Sequence, residues 1–256
     1  MKSKQNSSRK KYKFNPVKEN YEDYSSGRVL YGAPKATNFP VRLASEIFLC
    51  CSEHLKKNGS SGPYTIYDPF CGSAYSLTVM GFFHGLKIKD IFASDVNNTI
   101  LEFAQKNLSL LSEIGLQKRI NELEGFIEEY GKVSHKEALE SAHKLEKKIK
   151  STNHIKINCF GFDILSNENL PKQVPTIDFV ITDLPYGKLT NWVGLTQDVN
   201  PTQKFLNKIK TRLAKVSIVA IVLNKKQEIK YDGFVKIKTL KLEKRKIILL
   251  EPLWVG

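Results

Sequence analysis

Four aspartates stand near the ends of short apolar runs in this sequence and are its best candidates for chemistry: Asp68, Asp95, Asp163 and Asp183. A short apolar run bounded by turn residues predicts a buried strand. Because ligands of open α/β sheets bind outside the carboxyl ends of the strands, carboxylates in these positions converge on one edge. There they can accept hydrogen bonds from hydroxyl, amino and ammonium groups. The spacing therefore predicts a single site assembled from separate segments.

The first of these aspartates opens a glycine turn. In Tyr67-Asp-Pro-Phe-Cys-Gly-Ser-Ala-Tyr75, a strand ends near Asp68 and a helix begins after Ser73. Gly72 allows a ligand to approach the backbone, and the first turn of the helix offers unpaired N–H groups. The segment is not the Gly-x-Gly-x-x-Gly of dinucleotide-binding folds, which argues against a dehydrogenase. We expect Asp68, Phe70, Gly72 and Ser73 to contact a nucleotide-like ligand.

Asp95 and Asp163 follow the next two predicted strands. Asp95 lies 23 positions after the turn glycine, close to the spacing at which an acidic residue binds ribose hydroxyls, and Val96 is its neighbour. The alternative for Asp95 is an N-cap of the following helix, formed by residue 94 or 95. Asp163 stands between Phe162 and Ile164, where a carboxylate accepts from an adenine amino group and an apolar neighbour flanks the ring. Its alternative is a turn-forming aspartate.

The run Thr182-Asp-Leu-Pro-Tyr-Gly187, at the end of the fourth predicted strand, is the most specific motif. The exocyclic amino group of a base is a poor nucleophile because its lone pair is delocalised into the ring. Two acceptors, the Asp183 carboxylate and the Leu184 carbonyl, can hold that nitrogen pyramidal, while Pro185 fixes the carbonyl. Tyr186 offers a face on which a base stacks. The same residues also form an ordinary turn, and they gain specificity from the strands that precede them.

The net charge indicates the class of partner. The 256 residues carry 40 Lys and Arg against 26 Asp and Glu, a net charge of +14. Such a surplus favours a phosphate backbone as the partner; the alternative is a lysine-rich composition without a functional cause. Residues 1–13 hold six basic side chains and no acidic one, so we predict a basic flexible arm over 1–26 and one domain over 27–256. We expect the arm and four basic residues of one helical segment to contact phosphates: Lys204, Lys208, Lys210 and Arg212.

Composition also excludes several protein classes. No apolar run approaches the roughly 20 residues that span a bilayer, and no secretory signal is found. The four cysteines show no Cys-x-x-Cys spacing, so we expect neither a disulfide framework nor a metal site. These features predict a cytoplasmic protein that does not associate with a membrane, and we expect a monomer.

Short apolar runs and amphipathic segments alternate along the chain. The apolar runs predict seven strands, over 65–70, 91–95, 155–160, 177–183, 216–224, 234–242 and 246–253. Helical patterns begin at Pro40 and continue over 75–86, 97–112 and 201–214. This order predicts a doubly wound, mostly parallel α/β sheet with an antiparallel pair at one edge. The charged stretch 114–152 interrupts the alternation, and we expect it to be an inserted helical hairpin.

At these motifs the chain resembles the class I methyltransferases, whose first motif corresponds to Asp68–Ser73 and whose amino-methyltransferase motif corresponds to Asp183–Tyr186. It is particularly similar to the AviRa family of avilamycin-resistance ribosomal RNA methyltransferases. That similarity extends over about 27–256 and includes the segments Asn38–Phe48, Ala93–Val96 and Gly131–Ser134. One departure is Ala74, where members of the family usually carry glycine. Alanine costs about 1 kcal/mol there if the position needs a positive φ, and nothing if the helix has already begun.

The resemblance implies a Rossmann-like methyltransferase fold, S-adenosyl-L-methionine as the cofactor and large-subunit ribosomal RNA as the partner. It implies methylation of the exocyclic N2 of a guanine in 23S ribosomal RNA, with resistance to an antibiotic of the avilamycin type as a possible consequence. Asp68 would then bind the ammonium of the cofactor's methionine moiety. The alternatives are a transfer RNA guanine-N2 or an adenine-N6 methyltransferase, since Asp183 presents the same acceptors to either amino group. The alternative outside enzymes is a non-catalytic RNA-binding protein on this scaffold.

Overall fold

Strands and helices alternate along the part of the chain that the computed structural model describes, which comprises residues 12–15, 17, 19–34, 40–184, 200–242 and 245–254. The strands are β1 Tyr64–Asp68, β2 Ile88–Asp95, β3 Lys156–Gly161, β4 Ile177–Asp183, β5 Leu213–Asn224, β6 Phe234–Leu242 and β7 Arg245–Pro252. The α-helices are α1 Val41–Lys57, α2 Tyr75–His84, α3 Asn98–Ser109, α4 Glu113–Tyr130, α5 Val133–Glu146 and α6 Pro201–Lys210.

All the described strands join one seven-stranded sheet in the order β3-β2-β1-β4-β5-β7-β6. The first five strands are parallel to their neighbours among themselves, and β7 is antiparallel to both β5 and β6. The predicted doubly wound, mostly parallel α/β sheet is therefore confirmed. Since β4 returns to pair with β1, the sheet grows in opposite directions on either side of this pair. That is the topological switch point, where open α/β sheets bind their ligands.

Both faces of the sheet are covered, and β5 shows how the sequence arranges this. Ile218 and Ala220 face the core that includes α1, whereas Val219 and Ile221 face the core that includes α6. A shift of one residue in strand pairing would exchange the two faces, so this apolar pattern defines the register. The register in turn determines which residues emerge at the carboxyl edge.

The predicted insertion at 114–152 is a hairpin of α4 and α5. The two helices are joined at Gly131, whose φ of 62° is a conformation that glycine adopts without steric cost. Leu123 and Ala142 contribute to the same hydrophobic cluster as the sheet. Arg119 of α4 also donates from Nε to the carbonyl of Val29 at 3.0 Å. The insertion is thus an integral part of the domain core.

Part of the predicted arm packs on the domain. Tyr12 and Tyr24 are buried. The carboxylate of Glu46 in α1, itself buried, accepts the backbone N–H groups of Phe14 at 3.0 Å and Asn15 at 3.1 Å. Residues 12–15 therefore contact α1, whereas Val17, Glu19 and Asn20 are exposed, and the flexible arm over 1–26 stays a prediction. The basic residues before Tyr12 lie outside the described part of the chain, and the division at residue 27 stays a prediction.

Strand boundaries differ from the prediction at several ends. β1 ends at Asp68 and not at 70, because Asp68 Oδ1 accepts the N–H of Phe70 at 3.1 Å in a local turn. Pro69, between them, has no N–H to offer a neighbouring strand. β2 and β5 each begin three residues earlier than predicted. None of the helices in the described ranges combines the length and apolar character that a bilayer crossing requires.

Candidate active site

The carboxyl ends of adjacent strands bring the predicted aspartates together. Asp68 ends β1, Asp95 ends β2 and Asp183 ends β4. β1 lies between β2 and β4, and neighbouring strands of a sheet are about 4.8 Å apart. Asp163 follows β3, the strand beyond β2. The four carboxylates predicted from separate segments thus share one edge of the sheet, centred on the switch point.

Asp68 is a buried carboxylate, 4% exposed, whose Oδ1 accepts the N–H of Phe70 at 3.1 Å. Burial raises the pKa of Asp68 to about 7, against the lowering effect of the Phe70 N–H, and the charges of Asp95 and Asp183 add to the rise. No basic side chain of the described residues forms an ion pair with Asp68. A ligand ammonium would supply the missing positive charge, so the environment of Asp68 fits the role predicted for it.

The turn between β1 and α2 contains two residues with left-handed backbone. Gly72 and Ala74 both have a φ of 53°, and Ala74 is the residue immediately before α2. Position 74 therefore does need a positive φ, and alanine carries a cost of about 1 kcal/mol there. A Cβ on Gly72 would meet only Ile100, at an ordinary 3.9 Å, among the described residues. The space above the turn is thus left for a ligand.

Asp95 holds this turn in place. Its Oδ2 accepts the N–H of Gly72 at 3.0 Å, and its Oδ1 accepts the N–H of Asn97 at 2.9 Å. Asn97 is the N-cap of α3, with its own Oδ1 accepting from Thr99 at 3.0 Å, so the alternative of an N-cap at 94 or 95 is wrong. Each Asp95 oxygen keeps a second acceptor position for a ribose hydroxyl. Val96 beside it is 55% exposed.

Asp163 and its neighbours leave β3 in a tight turn. Asp163 Oδ1 accepts the N–H of Leu165 at 2.8 Å. Asp163 therefore forms the turn that the sequence analysis gave as the alternative to an adenine contact, and this turn uses one of its two carboxylate oxygens. Ile164 is 1% exposed and packs inside the core on the α6 side. Phe162 is only partly buried, and Lys208 Nζ lies 5.4 Å from its ring centroid. Of the two apolar neighbours, Phe162 is therefore the one placed to flank a ligand.

Asp183 carries a buried carboxylate oxygen that no described residue satisfies. Its Oδ1 has no hydrogen-bond partner there, whereas Oδ2 faces Arg245 Nη2 at 3.8 Å. That separation is an ion pair but is too long for a hydrogen bond. Burial raises the pKa of Asp183 to about 6, although Arg245 opposes the rise. A buried polar atom without a partner is costly unless a ligand donor meets it, so Oδ1 marks a place for an N–H group.

The rest of the Asp183 motif is described only in part. Leu184 is fully buried, and its N–H donates to the carbonyl of Val222 in β5 at 3.1 Å. This bond fixes the backbone just after Asp183. Pro185 and Tyr186 lie outside the described residues, and the stacking role of Tyr186 stays a prediction.

Asn107, which the sequence did not single out, ties the glycine turn to the segment before α1. It is fully buried in α3, and its Nδ2 donates to the carbonyls of Ser73 and Tyr31, both at 3.0 Å. Its Oδ1 accepts the N–H of Tyr31 at 2.7 Å. The only sequence feature that could have indicated this role is that Asn107 is a polar residue on the apolar face of a predicted helix.

Phe70, on the other side of the turn, packs edge-on against Phe205 with ring centroids 5.5 Å apart.

Arg245 is the second residue that the sequence analysis missed. It is the first residue of β7 and pairs with Asn224 at the carboxyl end of β5. Asp183 pairs with Val222 of the same strand. Arg245 reaches Asp183 only through this register across β5, and nothing local in the basic run around residue 245 indicates it.

Comparison with known proteins gives consistent matches. A family model described as rRNA methyltransferase AviRa matches residues 10–245. The chain is 34% identical over 232 residues to the 23S rRNA (guanine(2535)-N(1))-methyltransferase of Streptomyces viridochromogenes, covering 89% of this chain and 90% of that one. The solved structure of rRNA methyltransferase AviRa from that organism matches with a TM-score of 0.83 and 31% identity, covering 93% of this chain and 95% of that chain. TrmN from Thermus thermophilus, 16% identical with a TM-score of 0.50 and covering 84% of this chain and 49% of that chain, shares the fold alone.

These matches correct the predicted target atom. The relative from Streptomyces is named for N1 of guanine, a ring nitrogen, so the expected guanine-N2 methyltransferase is wrong in this respect. N1 and N2 are neighbours on the same edge of guanine, and both present an N–H to an acceptor. The Asp183 motif therefore cannot distinguish them. The predicted family, a ribosomal RNA methyltransferase of the AviRa type, is confirmed.

Proposed function

Because the chain belongs to the AviRa family of ribosomal RNA methyltransferases, we propose that it transfers a methyl group from S-adenosylmethionine to N1 of a guanine in 23S ribosomal RNA. The observation that carries this proposal is the buried Oδ1 of Asp183, which has no partner among the described residues and lies at the switch point of the sheet. An N–H group of the base is the donor that this oxygen lacks.

N1 requires more of the protein than an amino group does. N1 of neutral guanine carries one proton, and its lone pair belongs to the π system of the ring. The proton must therefore leave as the new bond to nitrogen forms. A carboxylate that accepts the N1–H hydrogen bond then acts as a general base. With a pKa of about 6, Asp183 is ionised at neutral pH and is still a stronger base than an ordinary aspartate. We assign the proton to Oδ1.

The cofactor would lie across the ends of β1, β2 and β3. When bound, S-adenosylmethionine supplies a methyl group that is activated by the attached sulfonium, because the rest of the cofactor leaves as a neutral thioether. Asp68 would hold the ammonium, since this carboxyl is buried and forms no ion pair with a basic side chain among the described residues. Asp95 would hold the ribose hydroxyls and Asp163 the adenine amino group. The remaining contacts that we propose come from Phe70, Gly72, Ser73, Val96 and Phe162, whereas the predicted contact from Ile164 is not retained because that side chain is buried in the core.

The base would be held by the motif that begins at Asp183. The carbonyl of Leu184 is proposed to accept a hydrogen of N2, which orients the ring while Asp183 faces N1. Tyr186 is proposed to stack on the base, with Pro185 fixing the carbonyl between them. Stacking supports any base, so the choice of guanine rests on its two adjacent N–H donors.

Primer extension on methylated RNA tests the proposal. A methyl group on N1 blocks Watson–Crick pairing and stops reverse transcriptase, whereas one on N2 leaves pairing possible. We expect incubation of 23S ribosomal RNA with the protein and S-adenosylmethionine to give one new stop at a guanine, and mass spectrometry to identify 1-methylguanosine there. Transfer to N2, transfer to transfer RNA alone, or no transfer at all would refute the proposed function.

A further inference from the structure

The lysines of α6, expected to bind phosphate, are largely used inside the protein. Lys208 Nζ donates to two loop carbonyls at 2.8 and 2.7 Å. Lys210 Nζ donates to a carbonyl in the turn before β6 at 3.1 Å, and Lys204 Nζ donates to the Asn167 side chain at 3.0 Å. Because these ammonium groups support the fold, they are poor candidates for the main phosphate contacts.

Another group of lysines is exposed to solvent at the carboxyl edge of the sheet. Lys225 and Lys226 form the turn directly after β5, and Lys241 lies near the end of β6. All three are exposed, and no acidic side chain of the described residues forms an ion pair with them. Arg245 of β7 pairs with Asn224 of β5 and with the last residue of β6, which places the turn and the strand end side by side. We call Lys225, Lys226 and Lys241 the basic rim.

A buried lysine holds the turn of the basic rim in position. Lys246 is 8% exposed, and its Nζ donates to the carbonyl of Gln227 at 2.6 Å and to Glu228 at 3.0 Å. The N–H of Lys226 also donates to the Asn224 side chain at 3.2 Å. A buried ammonium is costly unless it is paired and hydrogen-bonded, as this one is. The turn that presents Lys225 and Lys226 is therefore fixed before any partner arrives.

The basic rim begins beside Asp183 and leads away from it. Asp183 pairs with Val222, two residues before the end of β5, and β7 and β6 follow β5 in the sheet. From β4 to β6 is three strand spacings, roughly 14 Å. This distance suits nucleotides that flank the target base and not the target itself. The cofactor side of the edge, toward β3, lies in the opposite direction.

We propose that the basic rim binds the phosphates of the RNA that flanks the methylated nucleotide. The inference rests on the proposed function for its choice of RNA. Its choice of residues rests on their exposure, on their position, and on the lack of acidic partners among the residues that the structure describes. Phosphate contacts fix the register of a nucleic acid without reading its sequence. The basic rim thus sets affinity and placement, while the Asp183 motif selects the atom.

The test compares two triple variants of the full chain for binding to a 23S ribosomal RNA transcript over a range of salt concentrations. One variant neutralises the basic rim with Lys225→Gln, Lys226→Gln and Lys241→Gln. The matched control carries Lys87→Gln, Lys156→Gln and Lys215→Gln, three exposed lysines near the amino ends of β2, β3 and β5 at the opposite edge. Both variants lose the same charge, so they differ only in where it was.

For the rim variant we expect the slope of the logarithm of the association constant against the logarithm of salt concentration to be smaller in magnitude by about 2 to 3. Its binding at 0.1 M salt should be weaker on the order of 100-fold. The control should remain near the parental protein. Methyl transfer by the rim variant should keep N1 of guanine as its target atom, because the Asp183 motif selects that atom. Equal behaviour of the two variants would overturn the inference. Binding that depends on the rim, with no methyl transfer by the parental protein, would instead overturn only the proposed function.

Discussion

At the scale of single residues, the change of target from N2 to N1 gives Asp183 a second task. As an acceptor it orients the base, and as a general base it takes the N1 proton. Asp183→Asn keeps the shape of the side chain but cannot take a proton. We expect single-turnover methyl transfer to fall by roughly 10² to 10⁴-fold, the usual contribution of a positioned base.

The control for Asp183 lies on the same strand. Asp178 is a carboxylate at the amino end of β4 whose pKa is also raised by burial, and it accepts the N–H of Thr65 at 2.8 Å. Asp178→Asn should leave the rate of methyl transfer unchanged at saturating substrates. A folded Asp183→Asn protein with near-parental rate would contradict the assignment of the base.

The pH dependence of the rate gives an independent test of the same residue. Only ionised Asp183 can accept the proton, so the rate should rise as pH passes through about 6 and then level off. Arg245 opposes the upward shift of the pKa of Asp183. Arg245→Gln should therefore move the midpoint to higher pH, which a purely structural role of the arginine would not do. A midpoint that stays in place, measured by single-turnover rates from pH 5 to 8, would exclude this electrostatic coupling.

At the scale of elements, the glycine turn depends on a helix packed behind it. Asn107 of α3 satisfies the carbonyls of Ser73 and Tyr31 together. Asn107→Asp removes both donors and places a carboxylate against two carbonyl oxygens, so we expect a loss of about 1 to 3 kcal/mol in the free energy of unfolding. Cofactor binding should weaken roughly tenfold, equivalent to about one hydrogen bond of 1.4 kcal/mol.

Calorimetry and thermal melts check the role of Asn107 against an exposed counterpart. Asn121 of α4 is exposed and accepts a hydrogen bond only from the Gln117 side chain among its described contacts. Asn121→Asp makes the same chemical change without touching the turn. If both variants bind the cofactor as the parental protein does, Asn107 has no positioning role. At saturating cofactor the Asn107 variant should recover its methyl-transfer rate.

The elements and the approximate carboxyl ends of the strands could be predicted because they depend on local pattern, whereas several exact boundaries could not. The apolar run at 216–224 predicts a central strand, and the aspartate positions follow from where such runs stop. Contacts that depend on register could not be predicted. Arg245 reaches Asp183 only through the pairing of β7 with β5, and Asn107 reaches Ser73 only through the packing of α3. Neither the local pattern nor the register determines the choice between N1 and N2, because the same carboxylate serves either nitrogen.

At the scale of the whole molecule, the net charge indicated a polyanionic partner but not where it binds. A sequence lists ammonium groups without showing which of them are used internally. Lys208 and Lys246 both donate to backbone carbonyls, whereas the side chains of Lys225 and Lys226 are exposed to solvent. Exposed lysines occur at both edges of the sheet, and those of the basic rim are the ones that lie beside the carboxylates proposed to carry the chemistry.

Those carboxylates also make the stability of the whole domain depend on pH. The pKa of Asp68 is raised to about 7 and that of Asp183 to about 6, in both cases chiefly by burial, whereas both are near 3.9 in an unfolded chain. Between about pH 4 and pH 7 the folded state therefore binds more protons than the unfolded state. The contribution of these two groups to stability is full below pH 4 and is lost as pH rises through their folded pKa values.

Thermal melts from pH 4.5 to 7.5 should show this loss and its relief by a ligand. The side chain introduced by Asp68→Asn cannot ionise. Relative to the parental protein, the free energy of unfolding of this variant should therefore gain up to roughly 4 kcal/mol between pH 4 and pH 7.

S-adenosylhomocysteine carries the ammonium that we assign to Asp68, and pairing with it should lower the pKa of this carboxyl. The ligand should therefore stabilise the parental protein more at pH 7 than at pH 5, whereas the Asp68→Asn protein should lose most of that pH dependence. The same ligand stabilisation at both pH values in the parental protein would show that the ammonium binds elsewhere, because a carboxylate that must ionise to receive it cannot be indifferent to pH.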